Sequence, residues 1–441
     1  MGEPVKLAVT AFSMRDGRRL RARRLARLVP LVVGGLLASA AAAQQADPLA
    51  GMGQAEWRQS YEAAPSLSVQ RSTTPILSPQ TVAATEAAIQ QYQTIAARGG
   101  WGTVPSERTL RLGVKGQAVL ALRQRLIATG DLEAVATNSA VFDSFVDAGV
   151  KRFQIRHGLA PTGVVSAATF AELNVPVDVR LRQLEINLVR LRSYSGDLGS
   201  RYVTLNIPSA ALETVENGMV VTHHIAGVGK IDRQSPLLNV KATEINFNPF
   251  WTVPASIIRK DLIPRMQANP NYLTEFHIRV YNKDGDEVAP TQINWNSLDA
   301  TNYKFRQDTG GENSLGVVRI NIPNQYGVYM HDTPEKGIFG DDARFVSSGC
   351  VRVQDVRDYV TWLLKDQPGW SREQVDQAIN SGQRIDVKIT PPVNVYWVYV
   401  TAWATPDGVV QFRPDIYNRD GAGPGPLAAV SPGNGPRPEE E

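Results

Sequence analysis

Residues 201–225 read RYVTLNIPSAALETVENGMVVTHHI, and this stretch decides the fold class of the larger part of the chain. Apolar and polar side chains alternate in it with a period of two, which is typical of half-buried β-strands. The dipeptide Asn217-Gly218 separates two of these runs and favours a tight hairpin. The pattern predicts a mainly antiparallel β-sandwich domain over residues 200–420. Further strands are predicted at 243–247, 316–320, 326–330, 385–389, 393–401 and 409–412, and one helix at 355–364.

The interval 255–305 interrupts this strand rhythm. It opens with a helical run, passes Pro264 and Asn269-Pro270, and contains a polar turn at 282–285. Insertions of this length in a compact domain are often functional lids. We interpret the interval as a capping insertion that covers a site and excludes water from it.

The region before the strands, residues 76–196, is predicted to be helical. Ser78-Pro79 supplies a cap and a first-turn proline for a helix that ends before Gly99-Gly100. Apolar residues at helical spacing then predict three short helices within 110–175, followed by a bridging helix with Leu181, Leu184 and Leu188 on one face. The chain is therefore expected to be a multidomain α+β protein in which a small three-helix domain precedes the strand-rich one.

The two ends of the chain read as segments outside these domains. Residues 1–43 combine an arginine-rich stretch, a short apolar run and the small-residue series 38–43, which together indicate an export signal. That apolar run is shorter than a membrane span, so contact with a membrane is expected only through the signal. Residues 44–75 read as a linker and 421–441 as a disordered tail. The expected location is the periplasm of a Gram-negative bacterium.

The distribution of charge argues against a nucleic-acid partner. The chain has 46 Lys and Arg against 43 Asp and Glu. The first 43 residues hold eight of the basic and two of the acidic residues, which leaves 38 basic and 41 acidic residues in the rest. The basic character thus belongs to the leader, and the composition gives no support for a nucleic-acid partner.

Two segments carry the residues of a thiol site, 329–334 (YMHDTP) and 347–352 (SSGCVR). Cys350 is the only cysteine, so it cannot form an internal disulfide. A thiol attacks as the thiolate, and His331 could take its proton and lower its pKa. The backbone N–H groups of Ser348, Gly349 and Cys350 lie on a glycine turn before a helix and are candidate oxyanion donors.

The other histidines do not point to a metal site. His223 and His224 are adjacent on a strand, so their side chains face opposite sides of the sheet. His277 reads as an ordinary surface residue. The sequence therefore predicts neither a metal nor a cofactor.

The helical segment 110–175 resembles the peptidoglycan-binding three-helix module of cell-wall enzymes. The resemblance rests on the runs LGVKG at 112–116, VKRFQIRHGL at 150–159 and TGVV at 162–165. It implies that this module binds the wall or positions the enzyme on it. His157, inside the second run, is expected to be a structural turn residue.

The strand-rich domain resembles the L,D-transpeptidase catalytic domain of the YkuD type, in its large form with a capping insertion. The resemblance rests on NPFWTVP at 248–254, on the ordered motifs at 306–316 and 323–334, and on SSGCVR at 347–352. Two positions differ from the usual pattern. Ser348 stands where the family commonly has histidine, and Ser235-Pro236 stands where it usually has Thr-Pro.

This resemblance assigns roles to individual residues. Cys350 would be the nucleophile, His331 the base, and the main-chain carbonyl of Asp332 the group that orients the imidazole. Tyr329 would line the site because it alternates to the same face as His331. Arg352 and Arg344 are candidate substrate-binding residues. For Arg352, bidentate binding of a stem-peptide carboxylate and a structural salt bridge remain alternatives.

The reaction implied by the resemblance is acyl transfer between peptidoglycan stem peptides. D-Ala would leave, a thioester would form on Cys350, and an amine of a second stem would give a 3-3 cross-link. A protein amine as acceptor would instead attach an envelope protein to the wall. The alternatives are an L,D-carboxypeptidase-type hydrolase, a thiol peptidase and a non-catalytic peptidoglycan-binding scaffold. Carbapenems, which acylate this family, are expected to react with Cys350.

Overall fold

The computed structural model describes residues 72–134, 139–421 and 428–429. The predicted export signal, most of the predicted linker and nearly all of the predicted tail lie outside the described residues. All of the described residues belong to one compact unit, residues 63–441. No helix among them combines the length and the apolar character needed to cross a membrane.

The N-terminal part is helical, as predicted. Its first helix begins after Ser78, whose Oγ accepts a hydrogen bond from the N–H of Thr81 at 3.1 Å. The next three helices enclose an apolar core that includes Leu122, Phe153 and Leu173. The helices are α1 (Pro79–Ala97), α2 (Gln117–Ala128), α3 (Ser144–Arg156), α4 (Ala167–Leu173) and the bridging α5 (Val177–Tyr194).

The second part is strand-rich and carries two further helices after the second of the two segments that are predicted to carry the chemistry. Its first strands are β1 (Arg201–Asn206), β2 (Ala211–Glu216), β3 (Met219–Gly229), β4 (Leu238–Phe247), β5 (Trp251–Thr252), β6 (Ile278–Tyr281) and β7 (Lys304–Gln307). The later strands are β8 (Val318–Asn321), β9 (Met330–His331), β10 (Phe345–Ser347), β11 (Val351–Val353), β12 (Ile385–Val398), β13 (Ala402–Ala404) and β14 (Val410–Phe412). A two-residue strand, Ala428–Ala429, pairs with β4.

The main sheet is mostly antiparallel, as predicted, but its strands form one closed ring instead of two separate sheets. The hairpin at Asn217-Gly218 joins β2 to β3, and β2 also pairs with β1. This double pairing connects the two ends of the strand order β3-β11-β9-β8-β4-β12-β1-β2. The parallel neighbours within the described ring are β1 with β12 and β9 with β11. The second of these pairs aligns the two segments predicted to carry the chemistry.

The predicted strand at 326–330 is shorter than expected. Only Met330 and His331 are extended as β9, because the side chain of Asn324 takes the backbone groups that a strand would use. Its Oδ1 accepts from the N–H groups of Tyr326 and Val328, at 3.0 and 3.3 Å. This local competition by asparagine is a common cause of turns.

The insertion 255–305 is a small folded cap with its own apolar core. It contains α6 (Ala255–Ile257), a π-helical turn (Ile258–Leu262), α7 (Ile263–Ala268) and α8 (Tyr272–Glu275), and it ends at β7. The sheet β5-β7-β6 closes its base. Ile258, Leu262 and Phe305 are buried in its core. The cap is therefore a defined body and not an irregular loop.

The helical module packs on a hairpin formed by β13 and β14. His157, at the end of α3, is buried, and its ring stacks on Phe153 and Phe412 with ring-centre distances of 3.8 and 5.4 Å. The buried guanidinium of Arg156 pairs with Asp131 at 2.6 Å. Arg413 donates to the carbonyl oxygen of Arg156 at 2.9 Å. The predicted structural role of His157 agrees with this position, since burial holds its pKa well below the ordinary value.

The rest of the catalytic domain supports the sheet. The remaining helices are α9 (Val356–Leu364), which follows β11, and α10 (Arg372–Asn380). Tyr359 and Leu363 of α9 are buried against the ring core with Met330 and Val351. The backbone on both sides of the two predicted catalytic residues is thus anchored by packing.

Candidate active site

Cys350 lies in a tight turn between β10 and β11. Gly349 has a φ of +112°, a backbone conformation that side-chain-bearing residues rarely adopt. The Oγ of Ser347 accepts the N–H of Gly349 at 3.1 Å and donates to the carbonyl oxygen of Cys350 at 2.5 Å. One serine hydroxyl therefore closes the turn that presents the thiol.

A second serine fixes the same turn from the other side. Ser235 is fully buried, and its Oγ donates to the carbonyl oxygen of Gly349 at 2.9 Å. It also accepts the N–H of Gly229, at the end of β3, at 3.0 Å. Tyr417 completes this contact by donating its OH to the carbonyl oxygen of Gly229 at 2.6 Å. The Ser235-Pro236 variation keeps a hydroxyl where the resemblance expects threonine, so this bond is available to either residue.

These bonds change the set of candidate oxyanion donors. The N–H of Gly349 is engaged by Ser347, which contradicts its predicted use as a free donor. The N–H of Val351 donates to the carbonyl oxygen of Tyr329 at 3.0 Å. Within the part of the chain that the structure describes, the N–H groups of Ser348 and Cys350 have no intramolecular acceptor. These two amides are therefore the candidate oxyanion donors whose hydrogen-bonding capacity is free within the described residues.

His331 lies in the middle of the ring beside the cysteine motif. On β9 it pairs with Arg352 of β11 and with Arg319 of β8. Its Nδ1 lies 2.5 Å from the main-chain oxygen of Asp332, which is the predicted orienting contact. Donation from Nδ1 to this carbonyl leaves Nε2 as the nitrogen that can accept a proton.

The carboxylate of Asp332 is used for structure and does not touch the imidazole. Its Oδ2 accepts the N–H of Val317 at 3.1 Å, and its Oδ1 pairs with Lys336. The side chain of Asp332 is buried. Only the main chain of Asp332 therefore acts on His331, as the alternation along a strand predicts.

Tyr329 lies beside His331 and connects it to the base of the cap. Its ring centre lies 5.6 Å from that of His331. Its hydroxyl accepts a hydrogen bond from Nε1 of Trp251 on β5 at 3.1 Å. The guanidinium of Arg319 lies 4.6 Å from the centre of the tyrosine ring. Both the phenol and the main chain of Tyr329 interact with the thiol of Cys350.

The electrostatics of the resting site favour a neutral pair. Burial raises the pKa of the Cys350 thiol to about 11, although hydrogen bonds from Tyr329 and the charge of Arg319 act in the opposite direction. Burial, together with the charge of Arg352, lowers the pKa of His331 to about 3. Neither shift is caused by the other member of the pair, so the effect of His331 on the thiol pKa stays a prediction.

The two predicted substrate-binding arginines have different surroundings. Arg352 pairs with Glu335 at 2.6 Å, and its charge acts on His331. This is the salt-bridge alternative, although Glu335 is largely exposed and a substrate carboxylate could compete with it. Arg344 donates to the carbonyl oxygens of Asp341 and Ser209, at 2.7 and 3.0 Å. These contacts favour a structural role for Arg344.

Sequence reasoning missed four residues that shape the site. Ser347 and Ser235 hold the turn, and Arg233 donates to Oγ of Ser348 at 2.9 Å. Arg319 left a weak signal, because it is a polar position of the alternating strand β8. Both serines stand in motifs that carry the resemblance, but their hydrogen-bond partners, like those of Arg233, are fixed only by the tertiary fold.

Comparison with known proteins agrees with the resemblance seen in the motifs. Residues 200–387 match the YkuD family, described as "L,D-transpeptidase catalytic domain". Residues 115–173 match the family described as "Putative peptidoglycan binding domain". Residues 200–387 are thus similar to L,D-transpeptidase catalytic domains, and the segment before them is similar to peptidoglycan-binding domains.

One relative is a Haemophilus influenzae protein named "Putative L,D-transpeptidase", which is 34% identical over 240 residues. The match covers 54% of this chain and 48% of the relative, so the chain spans about half the length of that protein.

Two solved L,D-transpeptidase structures have low overall similarity to the chain. The Xylanimonas cellulosilytica structure is 14% identical, covers 67% of this chain and 99% of its own, and has a TM-score of 0.21. The Stackebrandtia nassauensis structure is 12% identical, covers 67% and 96%, and has a TM-score of 0.24.

Proposed function

We propose that this protein is a cysteine-dependent L,D-transpeptidase that acts on peptidoglycan stem peptides. The observation that carries the proposal is the position of the single cysteine. Cys350 lies in the matched catalytic domain, on a turn held by two serines and directly beside the strand that presents His331. The arrangement supplies a nucleophile, an oriented base and two amide donors.

The first half-reaction forms a thioester. The sulfur of Cys350 would attack the carbonyl carbon of the third stem residue while its proton passes to Nε2 of His331. The amides of Ser348 and Cys350 would stabilise the oxyanion. The C–N bond to D-Ala then breaks, and D-Ala leaves with the proton from His331.

The second half-reaction returns the enzyme to its resting form. A side-chain amine of a neighbouring stem attacks the thioester, the C–S bond breaks, and the amine proton returns to the sulfur through His331. The product is a 3-3 cross-link, and a protein amine as acceptor would attach an envelope protein to the wall. The neutral resting pair fits this cycle, because the whole cycle begins and ends with an uncharged thiol and imidazole, and the thioester stage between them also leaves the imidazole uncharged.

The proposed location is the periplasm, and the export signal predicted for residues 1–43 and the proposed substrate support it. The peptidoglycan-binding-type module supports an encounter with the wall. Neither half-reaction needs a metal or a cofactor.

Mass spectrometry with purified tetrapeptide stems tests the proposal. We expect an acyl adduct on the intact protein, free D-Ala and a cross-linked dimer. Free tripeptide as the main product would instead indicate a hydrolase, and no adduct or product would indicate a scaffold. Cys350→Ser is the matched control, because it removes the thiol and keeps nearly the same shape.

A further inference from the structure

Arg233 connects the cap to the turn that carries the nucleophile. It lies in the loop between β3 and β4, and its side chain is 16% exposed. Its Nη1 donates to Oδ2 of Asp261 at 2.5 Å, and its Nη2 donates to Oδ1 of the same carboxylate at 3.0 Å. Nη1 also donates to Oγ of Ser348 at 2.9 Å. One guanidinium thus binds two parts of the molecule that are far apart in sequence.

Asp261 is held rigidly by the cap. It belongs to the π-helical turn Ile258–Leu262, and both end residues of that turn are buried in the cap core. The carboxylate therefore cannot move far unless the cap moves with it. Ser348, the other partner of Arg233, is two residues from Cys350.

The geometry of the contact requires arginine. A guanidinium can hold both oxygens of a carboxylate in parallel, whereas a lysine ammonium is a single point charge. Position 348 also matters, since its hydroxyl is small and accepts a hydrogen bond from the same guanidinium. The serine that replaces the family's usual histidine therefore fits a cationic neighbour.

We propose that Arg233 is a positioning residue that holds the cap against the nucleophile turn and thereby controls how the thioester divides between an amine acceptor and water. The inference rests on the proposed function, because the division exists only if a thioester forms. With the contact made, the cap excludes water and restricts the acceptor to one approach. With the contact broken, water gains access while the thiol itself is unchanged.

The test compares Arg233→Ala, Arg233→Lys and Asp261→Asn with the control Lys260→Ala. Lys260 is exposed and adjacent to Asp261, so its loss changes the charge of the same turn without touching the contact. The measured quantity is the ratio of cross-linked product to released tripeptide at saturating stem peptide. We expect the first three variants to lower this ratio by about threefold or more, as loss of a partly exposed ion pair allows. The control should match the wild type.

Two further readouts separate positioning from a structural role. Alkylation of Cys350 by iodoacetamide should stay within about twofold of the wild type, because the contact does not reach the sulfur. Hydrogen exchange of the cap amides, measured without substrate, should be faster in the three contact variants than in the wild type and in Lys260→Ala. The exchanged-charge double variant Arg233→Asp with Asp261→Arg should recover part of the lost protection.

An unchanged product ratio together with unchanged cap exchange would overturn the inference. Loss of iodoacetamide reactivity in both Arg233→Ala and Asp261→Asn would also overturn it, since the residues would then support the catalytic turn. Absence of any acyl-enzyme in the wild type would instead refute the proposed function. In that case, faster cap exchange in the variants would still establish the contact between the cap and the turn.

Discussion

The hydroxyl of Ser235 donates to the carbonyl oxygen of Gly349 at 2.9 Å, although 114 residues separate the two in sequence. The same hydroxyl accepts the N–H of Gly229 at 3.0 Å. Through these two bonds, the end of β3 holds the peptide that immediately precedes Cys350. The orientation of the nucleophile is thus set partly by a residue outside its own motif.

Removal of this hydroxyl should weaken both the fold and the reaction. In Ser235→Ala, a buried N–H and a buried carbonyl lose their partner, which costs about 1–3 kcal/mol of unfolding free energy. Ser235→Thr keeps the hydroxyl and should retain most of the stability and activity. Urea denaturation and the rate of acylation would check both variants. Equal behaviour of the two variants would contradict the role of the hydroxyl.

The thiol should ionise at an unusually high pH. Because burial raises its pKa to about 11, alkylation of Cys350 by iodoacetamide should rise about tenfold per pH unit between pH 7 and 10. Tyr329→Phe should slow alkylation further, since the phenol stabilises the thiolate. N-acetylcysteine, a small thiol without a folded site, provides the reference profile. A plateau below pH 9 would show that the folded site stabilises the thiolate.

A carbapenem should form one covalent adduct on the intact protein. The sulfur of Cys350 opens the strained lactam by adding to its carbonyl carbon, and the ring C–N bond breaks, so the protein gains the full mass of the drug. Cys350→Ser should show no adduct under the same conditions. An adduct that persists in this variant would mean that another residue is the nucleophile.

Glu213 should make the folded protein less stable as the pH rises. Burial raises the pKa of Glu213 from 4.5 to about 7. The N–H of Ile76 donates to its carboxylate at 3.0 Å, and this hydrogen bond acts in the opposite direction. A raised carboxyl pKa favours the folded state below the unfolded value, and this contribution is lost as the pH passes through 7. The shift corresponds to about 3 kcal/mol. Tyr202 and His223 are the nearby titratable groups, with Nδ1 of His223 at 4.0 Å.

Urea denaturation of Glu213→Gln at pH 5 and pH 8 measures this effect. The variant should match the wild type near pH 5 and exceed it at pH 8. Glu216→Gln, on the same strand, is the matched control with the opposite sign, because its pair with Lys365 lowers the pKa of Glu216. A wild type and a Glu213→Gln variant that differ equally at both pH values would exclude linkage to this carboxyl.

The sequence predicted most of the site but little of its electrostatics. Cys350 and His331 were candidates from the residue types in two short motifs, and the main-chain role of Asp332 was implied by the family resemblance. The pKa of the thiol could not follow, because burial is a property of the assembled domain. The contact between Arg233 and Ser348 joins residues that are 115 positions apart in sequence, so no local sequence pattern predicts it.

The fold was predictable where local signals are strong. Asn217-Gly218 identified its hairpin, and both residues have the positive φ angles that this turn requires. The closure of the strand ring could not be predicted in the same way. It depends on the parallel pairing of β1 with β12, and these two strands are separated in sequence by nearly the whole domain. The short β9 was mispredicted because Asn324 outweighs the strand propensity of its neighbours.

The helical module packs on the β13–β14 hairpin, and this fixed position affects the local concentration, near Cys350, of any molecule that the module binds. When a binding module is joined by a flexible linker, the other domain can occupy a wide volume around it. When the module is packed on that domain, the distance between them is fixed. His157 and Phe412 stack within this seat, and Arg156 and Asp131 are buried beside them. A glycan strand bound by the module would therefore present its stem peptides to Cys350 at one fixed distance from the bound position. Stem peptides at other positions along the strand would have a negligible effective concentration at Cys350.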